Sequence, residues 1–177
     1  DDAAWQQEAS ARVDHAHMMR DRVLPDQIHN FAHNNEWLIR DLVNIGRVQA
    51  AIDLAKNMCE LPRHPKYNHF GNRGSAFYGR LRLFEVLSTY ELWDQLIALA
   101  PTMYLEPTDQ HGEQLKRLRH LGAAYFRKGD LENGKKLIED MKQRLAKEKE
   151  AQDKSGNDAE APAQEMNKHQ ADIDKAK

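Results

Sequence analysis

The side chains with the clearest potential for metal chemistry are the histidines. The 177-residue chain carries nine of them, and an imidazole can bind zinc or copper or carry a proton near neutral pH. His29 and His33 lie four residues apart, so on a helix they would share a face. His15 and His17 would point about 200° apart on a helix, and no helical His-Glu-x-x-His signature is present. His29 and His33 are thus weak metal candidates, and we expect neither a metal site nor another cofactor.

The nucleophiles of the sequence do not form a catalytic pattern. Cys59 is the single cysteine, which excludes an intrachain disulfide and a cysteine-based zinc site. It lies in an apolar helical pattern beside Met58, whereas a reactive thiolate needs a cationic, partly open environment. None of the four serines stands in a Gly-x-Ser-x-Gly elbow, and the glycine-rich segment 71–74 lacks the Gly-Lys-Ser/Thr of a phosphate-binding loop. We therefore expect a buried, structural cysteine and a protein that is not an enzyme.

Charge is balanced overall but unevenly distributed. The chain has 26 Lys and Arg against 28 Asp and Glu, a net charge of -2, so it lacks the basic excess typical of nucleic-acid binders. Segments 61–84 and 114–129 nevertheless contain no acidic residue. Their cations are Arg63, Lys66, Arg73, Arg80 and Arg82 in the first, and Lys116, Arg117, Arg119, Arg127 and Lys128 in the second.

Apolar residues recur at helical spacing along most of the chain, and no long alternation indicates a strand. We predict an all-α fold of about seven helices, with an N-terminal helix in residues 1–24. Three helix pairs follow over about 27–61, 75–100 and 114–145, separated by Pro and Gly residues that break helices. No apolar run reaches the roughly 18 residues of a membrane span, so we expect a soluble chain whose compartment and oligomeric state stay open.

The last segment, residues 146–177, has a different composition. It holds six basic and eight acidic side chains and one large aliphatic residue, Ile173. Such a segment cannot bury enough apolar area to offset the entropy of ordering it. We expect a charged tail that is disordered or forms a solvated helix. The start without Met and the uncapped end lead us to expect a piece of a longer protein.

The third pair carries a motif of regularly spaced small and aromatic residues, which the first pair partly repeats. Its residues are Leu118, Leu121, Gly122, Tyr125, Gly129, Asp130, Gly134, Ile138 and Met141 in the third pair, and Leu42, Gly46, Ala51, Ala55, Met58 and Pro62 in the first. This pattern resembles the tetratricopeptide repeat. Its copies are 42 and 41 residues apart, whereas the family's usual period is about 34 residues, and other helical-hairpin solenoids would give a similar pattern. We expect Gly122 and Tyr125 to be buried between helices. The small-residue position falls at Ala51, Trp93 and Gly134, and Trp93 there means that the middle pair splays or that its register is different.

The resemblance implies a short right-handed solenoid of antiparallel helix pairs over residues 25–145, capped by the N-terminal helix. In such proteins the first helices line a concave groove. The residues placed there are Arg40, Arg82, Lys116, Arg119 and Arg127, with Tyr78 and His33 nearby. Guanidinium forks match carboxylates. We therefore expect a non-catalytic protein-protein interaction module or scaffold that binds an acidic peptide or partner surface, within a larger protein or assembly.

Two other functions stay open at this point. One is a metal- or redox-linked accessory domain that uses the N-terminal histidines. The other is binding of single-stranded nucleic acid, because aromatic and basic residues interleave between positions 66 and 80 as in surfaces that stack bases. The residues in question are Tyr67, Phe70, Phe77 and Tyr78 with Lys66, Arg73 and Arg80.

Overall fold

The computed structural model describes residues 2–155, and this part of the chain is all-α, as predicted. Apart from one 3-10 turn at Pro25–Gln27, its regular elements are α-helices, with no strand among the described residues. No helix between residues 2 and 155 has the length and apolar character needed to cross a membrane. The helices are α1 Asp2–Asp21, α2 Phe31–Asn44, α3 Val48–Glu60, α4 Ser75–Thr89, α5 Trp93–Leu99, α6 His111–Arg127 and α7 Leu131–Ser155.

The described residues divide into two compact units. Unit 1 comprises residues 2–90 and 102–105 and contains α1 to α4. Unit 2 comprises residues 91–101 and 106–155 and contains α5 to α7. The division falls between Tyr90 and Glu91, inside the helix pair predicted over 75–100.

The turns that lead into α3, α5 and α7 each contain a residue with a positive φ angle. Gly46, Glu91 and Gly129 have φ angles of 77°, 53° and 78°, and each stands two residues before the first residue of the next helix. Five residues after these positions come Ala51, Leu96 and Gly134. Their backbone N–H groups donate to Arg47, Leu92 and Asp130 at 3.0, 2.9 and 3.1 Å.

This equivalence corrects the register of the middle pair. The residue that matches Ala51 and Gly134 is Leu96, which is fully buried, and Trp93 instead begins α5 as Val48 begins α3. The equivalence of Leu96 with Ala51 and Gly134 could not be predicted from the sequence. In the middle pair Glu91, not a glycine, occupies the left-handed region that Gly46 and Gly129 adopt without strain.

Unit 1 has its core where α2, α3 and α4 pack on one another, with α1 against α2. Ile39, Ile52 and Leu83 are essentially inaccessible to solvent. Helices α3 and α4 approach closely at Gly79 of α4, where a Cβ atom would lie 2.7 Å from the carbonyl oxygen of Ala55 on α3. Only a glycine allows this separation of the two helix backbones.

In unit 2, α6 and α7 pack through an apolar cluster consisting of Leu115, Leu118, Ile138, Met141 and Leu145. On α6, Gly122 is buried, as predicted, whereas Tyr125 is only half-buried. Gly134 of α7 packs against the Phe126 ring, and a Cβ atom added at Gly134 would lie 2.9 Å from the nearest ring carbons. Arg117 donates to the Ala100 carbonyl at 3.0 Å and so ties the end of α5 to α6.

Helix α7 continues to Ser155, so the first part of the charged segment, residues 146–155, is helical. Leu145 is its last buried large apolar residue among those whose exposure is described. The rest of the predicted tail, residues 156–177, lies outside the described residues.

Candidate interaction surface

Five side chains from α2 and α4 form a surface that we call the α2/α4 face: His33, Trp37, Arg40, Tyr78 and Arg82. The three from α2 stand at spacings of four and three residues, which places them on one side of a helix. Helices α2 and α4 pack against each other, and the His33 and Tyr78 rings lie 6.4 Å apart between centroids. The face therefore joins three of the residues expected at the groove, Arg40, Tyr78 and Arg82, in one unit.

Trp37 is the large apolar residue of this face, and it is 39% exposed. Its indole N–H donates to Nε2 of His33 at 2.8 Å. The Arg40 guanidinium lies 4.4 Å from the centroid of its ring, a distance suited to a cation–π contact. Trp37 is thus held in place by the residues on either side of it along α2, while part of its surface stays open to solvent.

Arg82 is already bound by carboxylates of unit 1. Its Nε donates to Glu36 at 2.7 Å, and a second nitrogen binds Glu85. The Glu36 side chain is only 5% exposed and that of Arg82 16% exposed. Arg82 therefore fixes α4 to α2, and Arg40 is the exposed cation of the face.

An open cleft of about 200 Å³ lies beside these residues. It has apolar walls from Val43 and Val86 and charged walls from Arg40, Arg82 and Glu85. Because Arg82 is bound to carboxylates, the cleft is close to neutral rather than strongly basic. Such a cleft suits an apolar side chain with a polar neighbour.

The other expected groove residues, Lys116, Arg119 and Arg127, lie on α6 in unit 2. Lys116 binds Glu113 at 2.5 Å, one turn earlier on the same helix. Arg119 contacts the ring of His120, 2.8 Å from Nε2. Burial, assisted by the positive charges of Arg119 and Lys116, lowers the pKa of His120 to about 3. His120 is therefore a neutral acceptor for Arg119, and Arg127 is the exposed cation of the three.

The histidines and the cysteine that the sequence suggested for metal binding or catalysis do not form a reactive site in the described residues. His29 is exposed and lies in the turn before α2, so it does not share a helical face with His33 as predicted. Nε2 of His33 accepts the Trp37 indole N–H. No three His, Cys, Asp or Glu side chains among residues 2–155 are grouped so as to hold a metal ion. Cys59 is fully buried, as predicted, and burial raises the pKa of its thiol to about 12.

Arg80 requires a correction. The interleaved aromatic and basic pattern counted it among the surface cations, but it is fully buried. Its guanidinium lies 4.9 Å from the Phe70 ring centroid and 5.4 Å from that of Phe84. Arg80 thus packs inside unit 1 and cannot contact a nucleic acid strand from there.

Sequence reasoning missed Trp37 as a surface residue and Glu36 as the partner of Arg82. The signal for Trp37 was present, because His33, Trp37 and Arg40 follow helical spacing in a segment predicted to be helical. The pairing of Glu36 with Arg82 spans 46 residues and left no local signal.

Comparison with known proteins gives no match to a family model, to a curated protein or to a solved structure. Function must therefore be argued from the side chains and their geometry.

Proposed function

We propose that this chain is a non-catalytic protein-protein interaction module, made of helix pairs of tetratricopeptide type, within a larger protein or assembly. Its binding surface is the α2/α4 face, and Trp37 is the anchor residue. The observation that carries the proposal is a partly exposed tryptophan held by His33 and Arg40. A tryptophan fixed in place before binding loses little conformational entropy on association, and tryptophan and arginine are enriched among the residues that dominate binding energy.

Repetition of the helix pair supports a helical-hairpin repeat, the class of fold to which tetratricopeptide proteins belong. A residue of positive φ recurs three times, at Gly46, Glu91 and Gly129, each followed by a buried residue at the equivalent position. Stacked helix pairs present rows of side chains on rigid helices, and proteins built this way use the resulting surface to bind other proteins.

The side chains of the α2/α4 face indicate which kind of partner segment would bind there. Trp37 and the half-buried Val43 offer apolar contacts, and Arg40 is an exposed guanidinium beside them. A guanidinium donates two parallel hydrogen bonds to one carboxylate. The partner segment that fits best carries an apolar side chain next to an Asp or Glu.

Support for a non-catalytic role comes from the state of the reactive groups. A nucleophilic cysteine needs access and a lowered pKa, whereas Cys59 has neither. Its surroundings keep the His120 ring neutral near neutral pH, so it carries no extra proton to transfer to a ligand as a general acid.

Selection from a random peptide library displayed on phage tests the proposal. Peptides selected on the folded chain should carry the apolar-acidic pair, and Trp37→Ala should weaken their binding more than about tenfold, the effect of losing an interface anchor. The matched control is Trp5→Ala, because Trp5 is 66% exposed on α1. Peptides that bind Trp37→Ala as tightly as the unchanged chain would refute the proposed surface.

A further inference from the structure

The connection between α3 and α4, which we call the 61–74 loop, is held in one shape by its own hydrogen bonds. Asn68 is fully buried. Its amide donates to the Pro62 carbonyl at 2.9 Å and accepts from the backbone of Ala76 at 2.7 Å. The Asn72 amide donates to the carbonyl of Lys66 at 3.1 Å. The loop therefore presents its side chains from a fixed backbone.

Most polar acceptors on the side chains of this loop are used internally. Nδ1 of His64 accepts the backbone N–H of Lys66, and Nδ1 of His69 accepts that of Gly71, both at 3.1 Å. An imidazole that accepts at Nδ1 carries its proton at Nε2. Asn72 likewise accepts from the backbone of Arg73 at 2.9 Å. The imidazoles are thus left with N–H donors for a ligand.

The loop also carries three exposed cations, Arg63, Lys66 and Arg73. None of them forms an ion pair with any residue of the described range, 2–155. The loop itself has no acidic residue. The acidic residue just before it, Glu60, is bound to the Tyr104 hydroxyl.

We infer that the 61–74 loop is a second binding site, separate from the α2/α4 face, and that its ligand is an acidic, Asp- and Glu-rich segment of a partner protein. Carboxylates are acceptors only, so they complement a loop that offers cations and N–H donors. Arg63 and Arg73 add the fork geometry that binds both oxygens of one carboxylate.

The aromatic rings of the loop favour a peptide over a nucleic acid. The Arg63 guanidinium lies 4.4 Å from the Phe70 ring centroid, and Arg80 lies against the same ring. Tyr67 is covered in the same way, by the Lys66 ammonium at 5.1 Å and the His64 ring at 4.7 Å. Binding of single strands depends on rings that are open to stacking bases, and these rings are occupied by the chain's own side chains.

Fluorescence anisotropy with a labelled octaglutamate peptide tests the inference at about 50 mM salt, where exposed charges are weakly screened. The triple variant Arg63→Gln, Lys66→Gln, Arg73→Gln should bind at least about tenfold more weakly, because it loses three charge-assisted contacts. The matched control removes three exposed lysines of α7, Lys135→Gln, Lys136→Gln and Lys142→Gln. It should change the affinity by less than about twofold if the site is local.

Two further variants test whether the binding depends on charge and whether it is confined to the loop. The exchange Arg63→Lys, Lys66→Arg, Arg73→Lys keeps all three charges but replaces two guanidinium forks with one. It should bind more tightly than the glutamine variant and more weakly than the unchanged chain, which separates the contribution of charge from that of fork geometry. Trp37→Ala should leave octaglutamate binding unchanged, because the α2/α4 face is a different surface. The test of the 61–74 loop is therefore independent of the test of the α2/α4 face.

The inference would be overturned by equal losses in the loop and α7 variants, since the binding would then follow net charge alone. Absence of octaglutamate binding by the unchanged chain would also overturn it. Tighter binding of an eight-nucleotide oligothymidine, lost in the loop variant, would assign the loop to nucleic acid instead.

Discussion

Units 1 and 2 both bring two helices together over a glycine, but the atom opposite each glycine differs. At Gly79 the obstacle to a Cβ is the carbonyl oxygen of Ala55 and the Cβ of Met58, at 2.7 and 2.8 Å. At Gly134 it is the Phe126 ring. Backbone atoms of a packed helix cannot move without disturbing the helix, whereas a ring can rotate. The contact in unit 1 is therefore the more restrictive of the two.

The surfaces of the two units differ as well. Lys116 and Arg144 of unit 2 lie beside acids of the same unit, Glu113 and Asp140. In unit 1, Arg40 lies on Trp37 instead, and Arg63 lies on Phe70. These two cations keep their N–H donors for a partner, whereas Arg82 of the same unit is bound by carboxylates.

Among the predictions on stability, substitution of the two glycines should give the largest difference between the units. Gly79→Ala should lower the free energy of unfolding by about 3 kcal/mol, the upper range for overpacking a core. Gly134→Ala should change it by less than about 1 kcal/mol, because the better helix propensity of alanine offsets a shift of the Phe126 ring. Urea denaturation followed by circular dichroism measures both. Equal losses would show that the Phe126 ring is as immobile as the backbone of α3.

The next largest difference in stability between the units should come from their ion pairs. Glu36→Gln should cost about 2 kcal/mol, because it removes a buried carboxylate from Arg82 and leaves that guanidinium with Glu85 alone. The control is Glu132→Gln on α7, whose pair with Lys136 is exposed on both sides and should be worth less than about 0.5 kcal/mol. A cost for Glu36→Gln as small as that of the control would mean that Arg82 does not fix α4 to α2.

His120 should make unit 2 sensitive to acid. The pKa of its ring is about 3 in the folded chain, below the ordinary value of about 6.5. The unfolded chain therefore binds a proton on this ring first as pH falls. Stability should then decrease as the pH falls from about 6.5 towards the folded pKa.

Urea midpoints measured between pH 7 and pH 4 for the unchanged chain and for His120→Gln give this contribution as a difference. The variant should have the flatter dependence on pH. Parallel curves for the two proteins would show that His120 takes up its proton equally well in the folded and unfolded chains.

Much of the helical order could be predicted from the sequence, because Gly46, Pro62 and Gly129 mark the helix ends. The middle register could not, since Glu91 adopts a conformation for which glutamate gives no signal. Gly79 could not be found either, because its partner Ala55 lies on another helix.

The candidate site was partly predictable for the same reason. Placing Arg40, Tyr78 and Arg82 together required only helical spacing and a repeat. The sequence does not predict that Glu36 binds Arg82 or that Arg80 is buried. Both depend on how α4 packs against other helices, which no local sequence pattern indicates.

The three tryptophans test the central claim directly, because one stands on α1, one on the α2/α4 face and one on α5. Two-dimensional ¹H–¹⁵N NMR resolves their indole N–H signals, and Trp→Phe variants assign them. On addition of a peptide selected as above, the signal of Trp37 should shift, because its N–H is bound to His33 beside the proposed contact, while those of Trp5 and Trp93 should stay unchanged. A shift of Trp5 or Trp93 with Trp37 unaffected would contradict the assignment of binding to the α2/α4 face.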